Sequence, residues 1–126
     1  MRVLIIDSRR NYVQWLQGFL SFTTGLSALN PVQVDVTEKV SKGIRALGDK
    51  QYDLLFLRHD LDQEPKNGSD VREFLKKYPE VNPSMMIVCH GVNAVSDPKN
   101  AAQLTQAGRL ARWFPIGLLP AWKWEL

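Results

Sequence analysis

The chain has only two histidines, His59 and His90, and each stands directly behind a short apolar run. His59 follows Asp53-Leu54-Leu55-Phe56-Leu57-Arg58 and precedes Asp60, while His90 follows Met85-Met86-Ile87-Val88-Cys89 and leads into Gly91-Val92-Asn93. A third run, Arg2-Val3-Leu4-Ile5-Ile6, ends in Asp7-Ser8-Arg9-Arg10. If the three runs are neighbouring strands, their ends gather two imidazoles, two carboxylates, several guanidinium groups and an amide at one edge. Imidazole titrates near neutrality, so His59 and His90 suit general base and general acid roles in phosphoester chemistry, with Asp60 and Asp7 orienting the rings. Arg58 and Arg9 offer planar donors for phosphate oxygens, and Ser8 and Asn93 add neutral ones.

Each of these residues also has a structural use. Asp7 fits the cap of a following helix, and Asp60 fits a turn that bonds its own backbone. A single histidine is more often a hydrogen-bonded framework residue than a catalyst, and arginines at a helix start are often only solvated charges. The His59-Asp60 dipeptide has the composition of a metal-binding pair, but there is no nearby H-x-x-x-H, no cysteine pair and no third histidine, so no metal ligand set is expected. Gly43 and Gly48 have the glycine spacing of a phosphate loop, yet Asp49 stands where its lysine belongs. The helical spacing of Trp15, Phe19 and Phe22, and the position of Trp113, Trp122 and Trp124 near the end, point to packing, with a stacking platform or partner surface as the alternative for the last three.

The elements that position these residues follow from periodicity. Arg2 to Ile6 reads as a strand buried on both faces. Tyr12, Trp15, Leu16, Phe19 and Leu20 predict a helix from Asn11 that closes at Thr23-Thr24-Gly25. Val32, Val34 and Val36 alternate with polar residues, as in a strand nearer a sheet edge. A helix is expected over Val40 to Leu47 with Gly48 after its end, a central strand over Asp53 to Leu57, a helix over Asp70 to Lys77 and a strand over Met85 to Cys89. Asp97 is expected to cap a fourth helix with Pro98 in its first turn and Gly108 beyond its end, before a weaker strand over Ala111 to Phe114. Alternating strands and helices imply an α/β fold, a doubly wound parallel sheet in which ligands bind outside the carboxyl ends of the strands.

Composition places the chain among single domains. Its 126 residues are enough for one core, and 44% hydrophobic with 23% charged residues is ordinary for a globular protein. The net charge of +3 is spread along the chain, which permits a nucleic-acid partner without requiring one. One cysteine, Cys89, excludes an intrachain disulfide, so a reducing, cytoplasmic location is expected. The absence of a leader and of a long apolar run argues against secretion and membrane spanning.

The strand endings resemble the receiver domains of two-component signalling, and more closely a receiver-like family proposed to process cyclic phosphates. The resemblance rests on Asp53-Leu54-Leu55-Phe56-Leu57-Arg58-His59-Asp60-Leu61 and on Ile87-Val88-Cys89-His90-Gly91-Val92-Asn93. It implies a receiver-like (flavodoxin-like) five-stranded sheet in the order 2-1-3-4-5 over residues 1–116, with the last helix short or missing and 117–126 an apolar tail packed on the domain. It further implies a phosphoesterase or binder acting on cyclic phosphates of nucleotides or RNA ends, with no cofactor required. The departures are specific. Receivers carry two acids after the first strand, an aspartate that accepts phosphate at the end of the third, and a lysine before a proline after the fifth; here Ser8 follows Asp7, Arg58 closes the third strand and Phe114 precedes Pro115. The alternative expectation is therefore a degenerate, non-phosphorylated receiver that acts as a protein-interaction module, through a protein partner or a homodimer.

Overall fold

The computed structural model describes residues 1–24, 32–58, 68–91 and 96–115. Strands and helices alternate: β1 (Arg2–Ile6), α1 (Arg10–Thr24), β2 (Gln33–Thr37), α2 (Val40–Asp49), β3 (Leu54–Arg58), α3 (Gly68–Lys77), β4 (Met86–Gly91), α4 (Ser96–Gln106) and β5 (Leu110–Pro115). The five strands form one sheet in the order β2-β1-β3-β4-β5, all pairings parallel, as the sequence predicts. No described helix is long and apolar enough to cross a membrane.

Because side chains alternate across a strand, each apolar run feeds two cores at once. Val3, Ile5, Leu54, Phe56 and Val88 face one side, where Val13, Leu16 and Leu20 of α1 cover them. Leu4, Ile6, Leu55, Leu57, Ile87 and Cys89 face the other, beneath Val40 and Leu47 of α2, Val71 and Leu75 of α3, and Ala101 and Leu104 of α4. At 25 cal/mol per Å², each fully buried Leu, Ile or Val contributes about 1.5–3 kcal/mol, so the strands that hold the polar residues are anchored on both faces.

Several boundaries differ from the sequence reading, and each difference has a local cause. Arg58 and His90 are strand residues: the β3–β4 ladder continues through the pair Arg58↔His90, because both side chains are buried and their backbones remain paired. Gly48 lies inside α2, which ends when the backbone turns extended at Lys50. Asp97 is a residue of α4, which starts at Ser96. Trp15 is 41% exposed, stacked on Tyr12 and not in the core. The expected roles of Trp122, Trp124 and the 117–126 tail concern positions outside the described residues.

Two polar anchors brace the far end of the sheet. The Asn82 side chain donates to the carbonyls of Leu47 and Lys50 and accepts from the Tyr52 N–H, and it reaches them from a left-handed backbone at φ 45° that Asn tolerates. Arg109 is buried and donates to the carbonyls of Leu75, Tyr78, Val81 and Asn82, tying the end of α3 to the loop that follows it. Burial holds its guanidinium pKa below the usual arginine range, with Glu80 opposing.

Candidate functional site

The carboxyl ends of β1, β3 and β4 bring Asp7, Arg58 and His90 together, fully buried. Asp7 is the first residue past β1. Its N–H donates to the Thr37 carbonyl at the end of β2 (3.1 Å), and its Oδ1 accepts the Arg9 N–H (2.9 Å) in the turn that leads into α1. The capping role and the site role therefore coexist in one side chain.

Arg58 answers it from β3. Its Nε donates to both Asp7 carboxylate oxygens at 3.0 Å, and the two side chains are 2% and 0% exposed. Two charges removed from water at this cost persist only when they meet closely. His90, beside Arg58 in the ladder, places Nε2 3.9 Å from Asp7 Oδ2, too far for a hydrogen bond. Burial chiefly, and the Arg58 charge second, hold the imidazole pKa down to about 3, so the ring is neutral at physiological pH.

Tyr12, in the first turns of α1, completes the cluster. Its ring lies 5.0 Å from the His90 ring, and the Arg58 guanidinium carbon sits 5.3 Å from its centroid, within cation–π range. Phe56 flanks His90 at 6.3 Å and Trp15 stacks on the outer side of Tyr12 at 5.7 Å. Burial raises the phenol pKa well above its usual value, with Asp7 adding to the effect and Arg58 opposing it. Among the described residues, four buried polar atoms here, Tyr12 Oη, Arg58 Nη2 and both His90 ring nitrogens, find no hydrogen-bond partner.

The structure thus joins Asp7, Arg58 and His90 and corrects the parts assigned to them. His90 is not poised between acid and base near neutrality, because desolvation disfavours its charged form. Asp7 does not orient His90 by a hydrogen bond; its oxygens are committed to Arg58 and to the Arg9 N–H. Arg58 is not an open fork, because Asp7 takes its Nε. Arg9 is exposed and Ser8 half-buried at the start of α1. His59, Asp60 and Asn93 lie outside the described residues. Tyr12 was not legible as a site residue; its helical spacing marks it as packing, and only its polar tip near the α1 start hints otherwise.

The cluster, among the described residues, does not fit a divalent cation. Among the described residues Asp7 is the only carboxylate of the cluster, a guanidinium occupies its oxygens, and no group of three His, Cys, Asp or Glu side chains is arranged to hold a metal.

No protein-family model matches the chain, and no curated protein matches it in sequence. Solved structures do match. A response regulator receiver domain protein (CheY-like) from Methanospirillum hungatei aligns with a TM-score of 0.69 at 18% identity, over 95% of this chain and 84% of that one. A two-component response regulator from Clostridium difficile gives 0.64 at 22% identity, over 91% and 82%. The receiver domain of NtrX from Brucella abortus gives 0.64 at 15% identity, over 90% and 83%. With the strand order and parallel pairing, these define the fold as that of a receiver domain.

Proposed function

We propose that this chain is a receiver-fold protein-interaction module that works without phosphorylation. The observation that carries this reading is the buried Asp7–Arg58 pair. By the family resemblance, the end of the third strand is where an aspartate accepts phosphate with the help of acids after the first strand. Here that end carries a guanidinium, and it neutralises Asp7, the first of those acids. A site whose charges are already paired has neither an acceptor oxygen nor the negative field that draws in a metal ion, so its state does not change with a phosphoryl donor. The function left to such a domain is to present its surface to a protein partner or a second copy. The test is incubation of the full chain with acetyl phosphate and Mg²⁺, followed by intact mass measurement and light scattering. No mass gain, with dimerisation or capture of a specific partner that is indifferent to the donor, is the expected result; a stable phosphoryl adduct would sink the reading.

The second reading is hydrolysis of cyclic phosphates by His59 and His90, supported by Asp60, Asp7, Arg58 and Asn93. The adjacency of Arg58 and His90 in the ladder favours it. Against it stands the neutral, enclosed state of His90, which leaves the ring without the imidazolium proton that a general acid transfers near pH 7. Conversion of 2′,3′-cyclic nucleotides to nucleoside monophosphates, read by phosphatase-coupled phosphate release, that disappears in both His59→Ala and His90→Ala would reverse the order of the two readings.

A further inference from the structure

A buried donor without a partner costs about 1–3 kcal/mol, so several at one spot mark a position that something else fills. Tyr12, Arg58 and His90 supply such atoms from α1, β3 and β4. They are mutual neighbours through the Tyr12–His90 and Tyr12–Arg58 ring contacts. We propose that the unpartnered polar atoms of these three side chains form a receptor for a small tetrahedral oxyanion, held noncovalently.

The chemistry of the unspent atoms selects the ligand. Arg58 Nη2 is a donor, the Tyr12 hydroxyl can donate, and a neutral imidazole has one N–H, so the cluster offers three donors from three elements. A metal cation is opposed by Arg58. An anion is not opposed by Asp7 alone, because the Arg58 Nε sits 3.0 Å from both of its oxygens and cancels its charge. The surroundings add positive potential: α1 begins beside the cluster, its first turn holds no acidic residue, and Arg9 and Arg10 flank its start. Arg10 is partly offset by Glu38 at 3.5 Å on the surface.

This inference goes beyond the interaction-module reading and does not depend on it. A domain that cannot take a phosphoryl group covalently can still sense a free oxyanion, and one that binds none can still hold a partner.

The test is an NMR titration of the full, isotope-labelled chain with inorganic phosphate and with sulfate, against sodium chloride at matched ionic strength. A separate arm uses a nucleoside 2′,3′-cyclic phosphate, whose tighter binding would assign the site to phosphate esters and whose weaker binding would assign it to free phosphate. The expected result is a saturable shift of the Arg58 Nε–H and the His90 ring signals with phosphate or sulfate but not chloride. Tyr12→Phe, which keeps the ring and removes one donor, should weaken binding about two- to tenfold, the size of one hydrogen bond. The proposal is overturned by the absence of a saturable shift, by an equal shift with chloride, or by binding that survives Tyr12→Phe unchanged and is lost in Arg9→Gln, which would place the anion on the outer surface of α1.

Discussion

At the scale of single residues, the Asp7–Arg58 pair decides most of what the site can do. Removing one partner leaves a buried charge uncompensated, so Asp7→Asn or Arg58→Met alone should cost about 3–5 kcal/mol in urea unfolding, while the double variant Asp7→Leu/Arg58→Met should recover most of that loss. A double variant no more stable than the singles would show that the pair does not act as a unit. His90 makes the second prediction. Its pKa is 6.5 ordinarily and about 3 in the folded protein, so between those values the unfolded chain binds the extra proton. Its contribution is therefore fully present above pH 6.5 and is lost as pH falls toward 3, with a slope of up to about 1.4 kcal/mol per pH unit. Stability measured from pH 7 to 5 should fall in the wild type and less steeply in His90→Leu. The sequence reading found these residues because each follows an apolar run. It missed their pairing because strand ends are read from periodicity, and a buried ion pair that extends a strand by one residue looks like the start of a loop.

At the scale of elements, the helix and strand order was legible because the apolar periods of the strands and helices are clean, whereas the ends were blurred wherever a polar side chain finds a buried partner. Gly48 illustrates the opposite error: a glycine near a helix end reads as a terminator, yet it sits within α2 with nothing within 4 Å of an added Cβ. Gly43 differs. A Cβ there would meet Ile6 Cδ1 at 2.6 Å and Thr37 Oγ1 at 3.2 Å, so the close approach of α2 to β1 and β2 requires it. Gly48→Ala should stabilise by roughly 0.5–1 kcal/mol through helix propensity, while Gly43→Ala should destabilise by about 1–3 kcal/mol despite the same propensity gain; thermal unfolding of the two variants checks both signs. Arg109 was invisible in the sequence, where it resembles any surface arginine before a strand. Since it serves the carbonyls of Leu75, Tyr78, Val81 and Asn82, Arg109→Met should cost about 3 kcal/mol or more in chemical denaturation, and Arg109→Lys should restore little, because an ammonium cannot span the same fan of acceptors.

At the scale of the whole molecule, the fold is that of a receiver and the charge arrangement at its strand ends is not the one receivers are known by. A ligand that binds only the native state raises its stability by mass action, so a domain built around a cation site responds to Mg²⁺. Here the internal guanidinium takes that place, and the thermal midpoint should be unchanged by millimolar Mg²⁺ at constant ionic strength; a rise of several degrees would show that Asp7 remains open to a metal. The same pair has a consequence for how the chain is made. Every strand pairing is parallel, so no two strands can join as a hairpin, and Asp7 meets Arg58 across 51 residues. During synthesis Asp7 emerges first and lacks its buried partner until β3 has left the ribosome, so the segment from β1 to α2 waits, with β1 unpaired on one side, for the residue that closes the site.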